Sequence, residues 1–307
     1  MNLEKALKQA SYKIWEEMTP PLSDKKYNIF QVREEGLTSM ALKVLANSNC
    51  KDIDTIKMIG PIREAKEGYD FELCLGSVSK NKFVRYYIQA KSQIYDYSVN
   101  GTYKGISIDQ INDMESYSKE VNKEGIPLFA LYKYLDINDL DLEQYYNSFT
   151  DFDKESMGIT ITTTSKMKSA INNQISFSEL HKSGMFPVFR HPYFKYNPGE
   201  IEKHLINVQA AIPFHDLAYF TIEMAEEYNK KKKAQNKFKS AKFFFFFFAD
   251  YLLELFPENG GLIPIIKSSK EQLIQDFLVR NERNTDRSYK PQAIIIINTD
   301  KDLEKLD

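Results

Sequence analysis

Cysteine is nearly absent from this 307-residue chain: only Cys50 and Cys74 occur. Two cysteines give neither a disulfide framework nor a cysteine-built zinc site, and the expectation is a reducing, cytoplasmic setting. The four histidines, His181, His191, His204 and His215, form no HExxH or HxxxH pair. Glu200 and His204 sit at helical spacing, which reads as a surface pair. There is no P-loop and no GxGxxG, so nucleotide-triphosphate and dinucleotide chemistry lack support. Net charge is −2, so any nucleic-acid contact has to come from a local basic surface. The most apolar run, "FFFFFFADYLLELF" (residues 243–256), is too short to span a bilayer and carries Asp250 and Glu254. It reads as a buried helix or strand, and no membrane partner is expected. The first residues, "MNLEKALKQASYKIW", are charged and polar and do not read as a secretory leader.

What is present is an alternation of helical and extended patterns. Residues 1–26 read as a short helix followed by a loop. "NIFQVREEGLTSMALKVLANSN" reads as a helix, with Leu37, Met40, Ala41, Val44 and Leu45 at helical spacing. "DTIKMIG", Tyr69 to Leu75 and Phe83 to Lys91 read as three strands of a meander, the last two joined by the polar turn "SVSKNK". "SIDQINDMESYSKEVNKEG" reads as a helix, with Asp109 as its N-cap and Gly125 as its stop. "IPLFALYKYL" follows as an apolar strand.

Further on, "GITITTTSKMKSAI" predicts a strand and then a helix or turn, and residues 201–229 predict two helices split by Pro213. Ser268 to Glu271 resembles a capping box before a helix holding Leu273, Phe277 and Leu278. "KPQAIIIINTD" predicts a closing strand buried on both faces and joined to the main sheet. The expected fold is α/β with a mixed sheet, in a single domain spanning 1–307. Residues 1–26 form an N-terminal extension, 27–140 the core, and 141–307 a largely helical elaboration.

The chemistry is concentrated in "GYDFELCLGSVSKNKFVRYYIQAK" (residues 68–91). Alternate residues of a strand share a face, so Asp70 and Glu72 point one way while Phe71 and Leu73 point the other. On the next strand Gln89 and Lys91 share a face. If the two strands pair across the turn, these four polar residues converge. Two carboxylates beside an amide oxygen make a hard-oxygen cluster of the kind that suits Mg²⁺. A lysine beside them can offset charge on a pentavalent phosphate or help to deprotonate a water. The preceding helix offers a further acid. Glu34 lies near its apolar stripe, and Glu35 lies about 100° further round.

This pattern of a helix acid, then Asp70 with Glu72, then Gln-x-Lys at Gln89, Ala90 and Lys91 on the neighbouring strand resembles the PD-(D/E)XK nuclease superfamily, whose usual pattern there is (Asp/Glu)-x-Lys, in the variant where Gln replaces the third acid. "REEGLTS", "GYDFEL", "YYIQAKS" and "GIPLFALYKY" are similar to a little-characterised bacterial branch of it, and the likeness covers residues 30–135. The resemblance implies a restriction-endonuclease-like core of helix, three-stranded meander, helix and strand. It implies metal held by Asp70, Gln89, the Ala90 carbonyl, Glu34 and Glu72, with Lys91 handling the water and Glu34 or Glu35 as the helix acid. It also implies Mg²⁺, replaceable by Mn²⁺, and nucleic acid as partner, with DNA favoured over RNA. The context it suggests is bacterial defence against phage or plasmids, with a homodimer or a defence partner protein. Two rivals stand beside it: a catalytically silent nuclease fold that binds nucleic acid or protein, and an RNase toxin. Tyr69 stands where the superfamily motif has proline. The segment "NKKKKAQNKFKSAK" reads either as a backbone-tracking surface or as a solvated helix end. Arg190 and His191 read either as phosphate contacts or as part of a structural loop, and Tyr86 and Tyr87 either as base-stacking or as packing residues.

Overall fold

The computed structural model describes residues 1–18, 32–58, 69–94, 102–103, 105–121, 125–134, 158–172, 211–233, 251–283 and 293–300. Within them lie nine strands: β1 (Ile53–Met58), β2 (Phe71–Ser77), β3 (Lys82–Ile94), β4 (Thr102–Tyr103), β5 (Gly125–Tyr132), β6 (Ile159–Thr163), β7 (Ile212–Pro213), β8 (Ile266–Lys267) and β9 (Ala293–Asn298). The helices are α1 (Leu3–Met18), α2 (Glu34–Asn47), α3 (Ile108–Ser116), α4 (Thr164–Ile171), α5 (Ile222–Lys233) and α6 (Lys270–Arg283). The fold is mixed α/β around an open mixed sheet of order β1-β9-β2-β3-β5-β6-β7, with β4 and β8 pairing to β3.

The sheet is covered on both faces, which is why β2, β5 and β9 read as nearly unbroken apolar runs. On one face Leu73, Tyr86, Ile88, Leu128 and Ile295 pack against Leu7 and Ile14 of α1, Leu37 and Leu45 of α2, and Ala225 of α5. On the other, Tyr87, Phe129 and Leu131 meet Ile111 and Met114 of α3 and Met167 of α4. Beside them Cys74, Ile294 and Ile296 meet Leu273 and Phe277 of α6. Each such buried aliphatic side chain contributes about 1.5–3 kcal/mol relative to exposure.

The closing isoleucine strand joins the sheet as expected, but its position corrects the meander. β9 inserts between β1 and β2, antiparallel to β1 and parallel to β2, so β1 and β2 do not touch as neighbours. Four buried isoleucines need cover on both faces and a partner on each side, and only a central position supplies all four. Three local readings also shift. Ser107, not Asp109, caps α3 by accepting the Gln110 N–H. Ser269, not Ser268, accepts from Gln272 at the start of α6. Around Pro213 the chain forms a short strand, then a 3₁₀ turn over Phe214–Tyr219, then α5. Gly125 opens β5, where a Cβ would meet the Tyr87 ring at 1.9 Å. Of the phenylalanine run, residues 251–255 are helical, and 243–250 lie outside the described residues.

Candidate functional site

β3 is longer than its neighbour, and this difference makes the site. Phe71, the first residue of β2, pairs with Ile88, so β3 runs on for six residues beyond that register. On its other side β5 follows it in parallel, with Gln89 opposite Phe129 and Lys91 opposite Leu131. The side vacated by β2 exposes backbone N–H groups that need acceptors. Two carboxylates supply them. Asp70, just before β2, accepts the Ala90 N–H through Oδ2 at 2.6 Å. Glu34, in the first turn of α2, accepts the Ser92 N–H through Oε1 at 3.0 Å.

Two further side chains close the group. Gln89 Nε2 donates to Asp70 Oδ2 at 2.6 Å and to the Ala90 carbonyl at 3.3 Å. Its Oε1 is buried with no hydrogen-bond partner among the described residues. Lys91 Nζ donates to the Gly105 carbonyl at 3.0 Å and lies 4.0 Å from Glu34 Oε2. Asp70, Gln89 and Lys91 are each less than a tenth exposed. Burial pushes the Asp70 carboxyl up to about 7; the Ala90 N–H and Lys91 oppose that rise, while the charges of Glu34 and Glu35 add to it. Burial also raises the Glu34 carboxyl, against the pull of Lys91 and the Ser92 N–H.

The two other acids in the sequence reading are not part of this group. Glu35 is exposed on the outer side of α2 and reaches Asp70 and Glu34 only through its charge. Glu72 shares the expected face, but both of its oxygens accept from Arg280 of α6, at 2.7 and 2.8 Å, and Arg85 Nε lies 3.7 Å away. A carboxylate with no exposed surface, both of whose oxygens accept from the single Nη2 of Arg280, is engaged by a buried ion pair rather than open to a cation. Arg280 lies 208 residues from Glu72, and no short-range pattern pairs them.

One neighbour was missed by the sequence reading: the Tyr132 hydroxyl lies 2.9 Å from Thr38 Oγ1, tying β5 to α2 one turn beyond Glu34. Its signal was the i, i+4 spacing of Glu34 and Thr38. Tyr86 and Tyr87 are buried packing residues; the Tyr87 ring stacks on Tyr69 at 4.8 Å. His215 is buried beside Asp216. His181, His191, His204, Arg190, Glu200 and the segment after Lys233 lie outside the described residues.

A family model described as a family of unknown function (DUF6615) matches residues 3–191, more than half of the chain. The chain belongs to the DUF6615 family. The matched span holds Glu34, Asp70, Gln89, Ala90 and Lys91, while β9 and Arg280, which complete the sheet and neutralise Glu72, lie beyond it. No curated protein and no solved structure matches the chain. Among the described residues no group of three or more His, Cys, Asp or Glu could hold a metal, and no helix is long and apolar enough to cross a membrane.

A cation at this site would therefore rest on a mixed set: the Asp70 and Glu34 carboxylates, the Gln89 amide oxygen and the Ala90 carbonyl. The desolvated Asp70 carboxyl and the unpartnered Gln89 Oε1 are the two features that fit an added cation. An all-oxygen set with few protein ligands matches Mg²⁺, which keeps several waters.

Proposed function

We propose that this DUF6615 protein is a metal-dependent nuclease with a restriction-endonuclease-like core, hydrolysing phosphodiester bonds in DNA in preference to RNA, in bacterial defence against phage or plasmids. The observation that carries the reading is the convergence of Glu34 from α2, Asp70 from the start of β2, and Gln89, Ala90 and Lys91 from β3 at the point where β2 ends and β3 runs on. The ordered match of helix acid, Asp and Gln-x-Lys to the PD-(D/E)XK pattern supports it.

In this reading Asp70, Glu34, Gln89 and the Ala90 carbonyl hold a Mg²⁺ or Mn²⁺ ion. An ion held there would supply Lewis-acid polarisation of a phosphoryl oxygen and a more acidic water. Lys91 is anchored by the Gly105 carbonyl and faces the Glu34 carboxylate, so its ammonium is fixed where negative charge gathers on a phosphate under attack. Thr38 and Tyr132 keep α2 on β5 and so hold Glu34 at the edge of β3.

The test is cleavage of plasmid, single-stranded DNA and total RNA in parallel, with Mg²⁺ or Mn²⁺ and with chelator. Metal-dependent DNA cleavage lost in Asp70→Asn and Lys91→Ala is expected. Cleavage that survives both substitutions in folded protein would overturn the site, and cleavage of RNA alone would move the reading to an RNase. A second reading, a nuclease fold that binds nucleic acid or a partner without cutting, is favoured by one observation: the neutral Gln89 stands where the usual pattern has an acid. It predicts no Asp70-dependent uptake of Mn²⁺.

A further inference from the structure

Gln89 Nε2 donates to Asp70 Oδ2 and to the Ala90 carbonyl. These are two of the oxygens that the metal-binding reading assigns to the cation. A donor nitrogen 2.6 Å from Oδ2 and a cation bound to the same oxygen from the same side exclude one another. The same amide keeps its oxygen, Oε1, buried without a partner among the described residues. A buried acceptor left unpaired costs free energy that a cation or a donor would recover.

A carboxamide is the one neutral side-chain group that carries two donors and an acceptor on a single planar end, exchanged by a half-turn. With its nitrogen toward Asp70 it satisfies a desolvated carboxylate. With its oxygen inward it would face that carboxylate oxygen against oxygen, which is tolerable only with positive charge between them. A glutamate at this position offers oxygens in either orientation and would leave Asp70 facing a like charge.

We propose that the Gln89 amide competes with a divalent cation for the Asp70 and Ala90 oxygens, and that the ion loads as the amide turns its oxygen inward, making Gln89 a built-in gate on metal occupancy. The inference rests on the metal-binding reading of the site. It gives the missing third acid a role: glutamine keeps the cluster stable without metal at the expense of affinity for it.

The experiment uses full-length wild type, Gln89→Glu and Asp70→Asn with Gln89→Glu, stripped by chelator at pH 8. Mn²⁺ binding is measured by calorimetry and thermal stability with and without Mn²⁺. Gln89→Glu should bind Mn²⁺ about tenfold tighter than wild type, because ligand charge sets affinity. Its Tm in chelator should be lower, and the rise in Tm on adding Mn²⁺ larger. Uptake by Gln89→Glu that Asp70→Asn abolishes, with none in wild type, would overturn the gate, because the wild-type amide would never admit the ion, and would also remove the wild-type nuclease reading. Asp70-dependent uptake of equal affinity in wild type and Gln89→Glu would overturn the gate and leave the metal site standing. No Asp70-dependent uptake in either protein would overturn both. Should Gln89→Glu not fold, the side-chain amide resonance of Gln89 in ¹⁵N-glutamine-labelled wild type decides the matter. It should shift on Mg²⁺ titration, and an unmoved resonance alongside measured Mg²⁺ binding would overturn the gate.

Discussion

Asp70 Oδ2 accepts the Ala90 backbone N–H at 2.6 Å, so a side chain takes the place that a longer β2 would have filled with a carbonyl. The same bond that finishes the sheet edge holds a carboxylate out of water. Burial raises that carboxyl to about 7 from 3.8. A raised acid contributes stability that is fully present below its unfolded value and lost as pH climbs through the folded value. Wild type in chelator should therefore lose stability between about pH 4 and pH 7, at about 1.4 kcal/mol per pH unit from this group at most. Asp70→Asn keeps an acceptor for the Ala90 N–H and carries no charge. Its Tm in chelator should exceed wild type at pH 8, and the gap should close toward pH 4. A variant no more stable than wild type at pH 8 would contradict the assigned cost of burying this carboxylate.

Glu34 and Glu35 are adjacent in sequence and unequal in place. Glu34 Oε1 accepts the Ser92 N–H, whereas Glu35 is exposed. Glu34→Gln should weaken Mn²⁺ uptake and lower activity, while Glu35→Gln should leave binding almost unchanged apart from a small charge effect on Asp70. Calorimetry on the two single variants separates them. Equal losses would mean that the first turn of α2 contributes only its overall charge.

Glu34 was legible because a helical wheel places it beside Leu37 and Ala41, and burial of that stripe fixes the rest. Asp70, Gln89 and Lys91 were legible because strand alternation sets a face. Alternation does not set a partner, and this is where Glu72 was misplaced: its face was right, but the guanidinium that takes both of its oxygens comes from a helix far along the chain. The same limit hid the sheet order. Ile297 pairs with Ile53 across the length of the protein, while local turn residues suggested that β1 simply meets β2. Helix caps slipped by one or two residues because neighbouring Ser and Asp side chains compete for the same N–H groups.

The Glu72–Arg280 ion pair predicts a stability phenotype without a binding phenotype. Glu72→Gln leaves Arg280 and Arg85 without their buried counter-charge. Breaking a buried pair from one side costs about 3–5 kcal/mol. Urea unfolding should show a loss of that order. Mn²⁺ affinity of the folded variant should match wild type within error, because Glu72 is not in the donor set proposed for the cation. A stable variant that binds Mn²⁺ much more weakly would return Glu72 to the metal site.

Lys133 follows β5 on the same face as Leu131, and it is fully buried. Burial lowers its ammonium to about 7 from 10.5. A lowered lysine is neutral in the folded chain and protonated in the unfolded chain between those two values, so stability falls as pH drops from about 10.5 toward 7. Lys133→Met, similar in length and apolar, removes the titrating group. Relative to wild type the variant should fare best near pH 7, and its relative stability should fall by about 1.4 kcal/mol for each pH unit above that. Thermal unfolding of both proteins from pH 7 to pH 10 tests it. A difference between the two proteins that does not change from pH 7 to pH 10 would show that Lys133 stays charged in the folded protein.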